Sequence, residues 1–188
     1  MGLEQIAAHT VTSGNEVQEV ILSGINSDNV HFLTGTNITV GASGGICDIN
    51  PTTGGSSDTT ANINVAWLDL NTSAAFQKFG NTGQDIWRVT DGMQQAPSST
   101  SFFMYLYNFN SSSANSNILM TVSSFNGSNL RGYQQGGIKT ETTAHDGVRI
   151  NTNQSGGGGF QDGTKFVLYK VVWMSKEYGY IGKEVTQD

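Results

Sequence analysis

The chain has 188 residues and a formal net charge of −6, a size that fits one domain able to bury about 70% of the surface its unfolded chain would expose. Charged residues make up 13%, and the nine Lys and Arg are scattered singly, which argues against a partner that is nucleic acid or an anionic membrane. The 24 glycines, set among many Asn, Ser and Thr, disfavour helix and favour short strands joined by turns, while the single Cys47 excludes an intrachain disulfide and reads as a small buried hydrophobe.

The first residues, MGLEQIAAHT, lack the basic start and apolar stretch of a signal peptide, so synthesis in a cytoplasm is expected. Alternation and turn punctuation place strands near Glu4 to Val11, Glu16 to Leu22, Val30 to Leu33 and Asn37 to Val40. The next segment, GASGGICDINPTTGGSSDTT (41 to 60), reads as a loop. It contains a literal G-x-S-x-G at Gly41 to Gly45. A nucleophile elbow needs a helix after its serine, and the Pro and Gly that follow forbid one, so the match is fortuitous.

Strands are expected next near Asn62 to Leu70 and Asp85 to Val89; between them TSAAFQKF, Thr72 to Phe79, is the one candidate helix, about two turns long. In SFFMYLYNF, Phe102, Met104 and Leu106 alternate with Phe103, Tyr105, Tyr107 and Phe109, an aromatic row on the second face of a strand over Phe102 to Phe109. Each such ring buries about 150 to 250 Å², too much to leave wet four in a row. After the loop NSSSANSN come strands near Ile118 to Ser124, Leu130 to Gln134 and Val148 to Asn151.

His9, His31 and His145 stand apart, with no spacing that makes a metal site, so no metal or cofactor is expected. His145 and Asp146 read as a turn, because adjacent residues on a strand point apart. The glycine run in NQSGGGGFQDG (153 to 163) matches neither a phosphate loop nor a repeated calcium-binding unit, and its role is to turn the chain before the last strand. That strand, Lys165 to Trp173, is apolar on both faces: Phe166, Leu168 and Val172 on one, Val167, Tyr169, Val171 and Trp173 on the other. One face enters a core, and the other needs a cover. MSKEYGYIGKEVTQD, 174 to 188, is denser in charge and reads as a C-terminal extended arm appended to a domain over 1 to 173.

These elements predict an all-β chain, an antiparallel β-sandwich of jelly-roll type. The alternating strands from the first residues, with GVRINTNQSGGGGF leading to a last strand of the form Phe-x-x-Gly-Thr-x-Phe-x-Leu-Tyr, resemble a diffuse group of small virion proteins of tailed bacteriophages, found among head decorations, tail components and fibres. Phe160, Gly163, Thr164, Phe166, Leu168 and Tyr169 carry the match, and Lys170 stands where that group usually has Gly. The resemblance implies a β-sandwich in a virion, no catalysis, and work done by assembly with copies of itself, a trimer being favoured, and with other virion proteins. The candidate interface residues are Phe103, Tyr105, Tyr107, Phe109, Trp173, Tyr178 and Tyr180. The alternative is a receptor-reading module that stacks Trp67, Trp87 or Tyr133 on a host surface glycan. A polysaccharide hydrolase is the third possibility, with no motif behind it.

Overall fold

Period-two alternation governs the computed structural model, which describes residues 2–27, 29–72, 77–125, 130–152 and 158–172. Its strands are β1 (Gly2–Thr10), β2 (Glu19–Ser23), β3 (His31–Ile38), β4 (Gly45–Thr53), β5 (Ser56–Ser57), β6 (Ile63–Asn71) and β7 (Gln77–Gln84). They continue with β8 (Trp87–Met93), β9 (Thr100–Tyr107), β10 (Asn117–Phe125), β11 (Leu130–Lys139), β12 (Gly147–Thr152) and β13 (Lys165–Val172). No helix occurs among the described residues, and Gln77 to Phe79, expected as the end of a helix, belong to β7.

All pairings are antiparallel. An eight-stranded sheet runs β1-β13-β3-β9-β10-β11-β6-β7, and a five-stranded sheet runs β2-β12-β4-β5, with β8 also paired to β4. Side chains from both sheets meet in one core that includes Leu22, Leu33, Ile49, Trp87, Met104, Met120, Ile150, Phe166 and Leu168. Burying each such side chain contributes about 1.5 to 3 kcal/mol, so packing holds the two layers without a cross-link between cysteines.

Several expected strands lengthen or fuse. The two short strands expected between Val30 and Val40 are one strand, β3, whose pairing with β9 slips between Gly35 and Ile38, and there Asn37 takes a φ of 52°. β4 and β5 lie inside the stretch expected to be a loop, and they are joined by Gly54 and Gly55 at φ 59° and 77°, the two-residue turn that suits a twisted hairpin. The G-x-S-x-G turn leads into β4, a strand. The expected arm, 174 to 188, lies outside the described residues.

Candidate functional site

β9 shows the expected alternation, with Phe102, Met104 and Leu106 buried in the core while Phe103, Tyr105 and Tyr107 face outward. Register places Tyr169 of β13, Phe32 of β3, Tyr105 of β9 and Leu119 of β10 directly side by side across four strands. Phe32 lies 4.9 Å from Tyr105, 6.0 Å from Phe103 and 6.2 Å from Tyr169 between ring centroids. Phe103 meets Tyr105 edge-on at 6.4 Å, and Tyr105 stacks on Tyr107 at 6.3 Å. Five rings therefore form one continuous outward cluster at spacings typical of favourable aromatic pairs.

Phe103 is 42% exposed, Leu119 at one side is 50% exposed, and Leu3 on β1 is 54% exposed. The register neighbours of Phe103 and Tyr107 are uncharged: Thr34, Thr121 and Asn117. On β13, Val167 and Val171 are buried yet stand apart from the core cluster, whereas Tyr169 is half-buried. The second face of the last strand is thus mostly covered within the chain, and Tyr169 is the part of it that joins the outward cluster.

The opposite outer face, on the smaller sheet, is of another character. Arg149 pairs with Glu19 at 2.6 Å and Arg88 with Asp48 at 3.1 Å, while Asn50 accepts from Asn151 and donates to the Asp85 carbonyl. Burial pushes the Asp48 carboxyl above the usual range, against the opposing pull of Arg88. One outer face carries ion pairs and amide contacts, and the other is aromatic.

Phe109 does not extend the aromatic row. Asn108 adopts a φ of 57°, which ends the extended conformation and turns Phe109 into the core, fully buried and 5.6 Å from the Trp87 ring. Trp87 is likewise fully buried and Tyr133 is 8% exposed, so neither offers a ring face to a sugar. Trp173, Tyr178 and Tyr180 lie outside the described residues. Phe32 and Leu119, by contrast, belong to the outward cluster without standing among the candidates; Phe32 was legible in the HFLT alternation of β3, but the register that sets it beside Tyr105 was not.

Trp67 alone of the three sugar-stacking candidates keeps a partly open ring. It lies on the inner face where β6 and β7 extend the large sheet, stacked on Phe79 at 5.3 Å with 21° between planes, and Phe79 is 43% exposed. A groove of about 220 Å³ runs beside it, lined among others by Trp67, Asn81, Gln84, Arg88 and Gln135.

A further polar group closes one end of the sandwich. Lys139, the last residue of β11, has no exposed side-chain surface, and its Nζ reaches Asp58 Oδ2 at 2.9 Å, Asn62 Oδ1 at 2.5 Å and Glu141 Oε2 at 3.5 Å. His145 is buried alongside, its Nε2 3.9 Å from Asp58 Oδ2, and burial holds its imidazole below the ordinary range. Asp146 points elsewhere, accepting from the Gly54 backbone at 2.7 Å. Among the described residues no three His, Cys, Asp or Glu side chains gather as a metal site.

No family model, curated protein or solved structure matches this chain. What the chain does must follow from the two surfaces and the buried polar group themselves.

Proposed function

We propose that this chain is a non-enzymatic structural protein of a tailed-phage virion, a head decoration, tail or fibre component, and that a second copy of the chain covers the aromatic face. The observation that carries this reading is the five-ring cluster of Phe32, Phe103, Tyr105, Tyr107 and Tyr169, flanked by Leu3 and Leu119 on the large sheet while the other sheet carries ion pairs. Aromatic residues free of charged neighbours are what distinguish the centre of an interface from ordinary surface. An apolar patch on a sheet face also matches its own copy, since sheets pack face to face about 10 Å apart and a two-fold axis presents the same patch twice.

The strand order supports the same reading. We take β1-β13-β3-β9 set over β2-β12-β4-β8 as a jelly roll, with β5 to β7 and β10 to β11 as insertions that widen one sheet. That architecture recurs in viral capsid and lectin domains, an analogy of fold alone. Light scattering on the eluting protein tests the proposal. The wild type is expected as an oligomer, and the double substitution Phe103→Ser with Tyr105→Ser as a folded monomer. A wild type that stays monomeric at micromolar concentration removes the interface.

A second reading rests on the groove beside Trp67. A partly open indole stacked on Phe79, next to Asn81, Gln84 and Gln135, offers a sugar ring an apolar surface and amide partners for its hydroxyls. Binding on a glycan array that disappears with Trp67→Ala would favour it.

A further inference from the structure

Lys139 and Asn62 are neighbours across two paired strands. β11 and β6 place Lys139 opposite Ile63, and the Asn62 carbonyl accepts from the Thr140 backbone N–H at 3.0 Å and from the Thr140 hydroxyl at 3.0 Å. The two side chains are therefore held together by backbone that the sheet has already fixed. Asn62 is oriented by its surroundings, because its Oδ1 faces the Lys139 amine at 2.5 Å and its Nδ2 donates to Glu141 Oε2 at 2.5 Å. The same Oε2 lies 3.5 Å from Lys139 Nζ. One carboxylate oxygen thus touches both the amine and the amide nitrogen, and a second carboxylate, Asp58, holds the amine at 2.9 Å.

An ion pair needs only an ammonium and a carboxylate. Here a carboxamide carbon, an electrophile, is added beside a primary amine whose side chain is fully buried, with a proton acceptor at each nitrogen. We propose that the folded chain closes an isopeptide bond between Lys139 Nζ and Asn62 Cγ, with Glu141 as the catalytic proton carrier.

The step balances without a co-reactant. Asp58 takes one proton from the Lys139 ammonium. The free amine attacks Cγ, forming the N–C bond while the carbonyl electron pair moves to Oδ1. Glu141 accepts a proton from the attacking nitrogen and delivers it to Nδ2, the tetrahedral centre collapses, and the Cγ–Nδ2 bond breaks. Ammonia leaves and takes up the proton held by Asp58, so the products are a secondary amide and an ammonium ion. Holding amine and amide together replaces a bimolecular encounter by an intramolecular one. Glu141, 45% exposed, gives the leaving group a way out.

Intact mass of the denatured wild type, with a tryptic map, tests this. The mass is expected to fall short of the sequence mass by one ammonia. Trypsin is expected to leave Lys139 uncut and to release a branched peptide joining residues 1–78 to residues 132–149, since no Lys or Arg precedes Lys78. Glu141→Ala, a change at a half-exposed side chain, is expected to keep the circular dichroism of the wild type yet to show the full mass and normal cleavage after Lys139. A folded wild type with the full mass and cleavage at Lys139 overturns the proposal. Loss of water with Asp58 as the branch point overturns Asn62 as the acceptor, and a persistent branch in Glu141→Ala overturns the role of Glu141.

Discussion

His31 and His145 have no exposed surface, and their titration ties the fold to pH. Burial lowers His31, with the Lys170 charge adding to the effect and the nearby Asn29 backbone opposing it. Burial also lowers His145, aided by Lys139 and opposed by Asp58, Glu141 and Asp146. Above the ordinary value of 6.5 both states of the protein carry neutral rings. Below it the unfolded chain takes up protons that the folded chain refuses, so stability falls as pH falls, until the lower folded value is passed. The slope is at most about 1.4 kcal/mol per pH unit for each ring. Urea midpoints taken from about pH 7.5 down to about pH 5 are expected to decline. His145→Gln is expected to flatten the decline, and a midpoint that holds constant in the wild type would refute the assignment. Neither the burial of His145 nor that of Lys139 was legible in the sequence, because a lone basic residue at a strand end ordinarily lies in water, and what makes the burial of Lys139 tolerable is the convergence on it of Asp58 and Asn62 from a distant stretch, beside the nearby Glu141.

At the scale of the strand, β9 shows what periodicity conveys and where it stops. The alternation of Phe102, Met104 and Leu106 with Phe103, Tyr105 and Tyr107 was plain from the sequence, and it ends at Asn108 because a left-handed residue reverses the side-chain direction. Asn108→Ala is expected to destabilise the protein by about 1 to 2 kcal/mol, and Asn108→Gly to be near neutral, in thermal melts. Equal effects of the two would show that the backbone angle is not what sets this corner. Gly137 in β11 makes a second test: a Cβ there would stand 2.7 Å from Trp87 Nε1 and 3.0 Å from Ile118 Cγ1. Gly137→Ala is expected to cost about 1 to 3 kcal/mol by overpacking, whereas Gly136→Ala, on the open face beside it, meets nothing within 4 Å. A Gly137→Ala variant as stable as Gly136→Ala would mean the indole yields. β4 was missed for a related reason. Its Pro51 and flanking glycines read as loop, but Pro51 falls in the gap where β4 has left β8 and not yet met β5, so no ladder partner on that side is lost.

Across the whole molecule, the two sheets differ in what their outer faces can do. The sandwich follows from strand count and alternation, which were readable, whereas the pairing order that sets Phe32 between Tyr105 and Tyr169 depends on contacts distant in sequence, which no local pattern encodes. That order turns single half-exposed rings, each ordinary on its own, into a contiguous patch. If a second copy covers the patch, folding and association are linked by mass action, and the melting temperature must rise with protein concentration. Leu119→Lys places a charge beside Tyr105 at one side of the cluster, where burial against a partner would leave it unpaired. In the monomer the same lysine is solvated, so the substitution spares the fold. The expected outcome is a wild type whose melting temperature climbs over a hundredfold dilution series and a Leu119→Lys variant whose melting temperature is lower and independent of concentration. Identical, concentration-independent melts for the two proteins would show that the aromatic face stays open to water, and the cluster would then be surface without a partner.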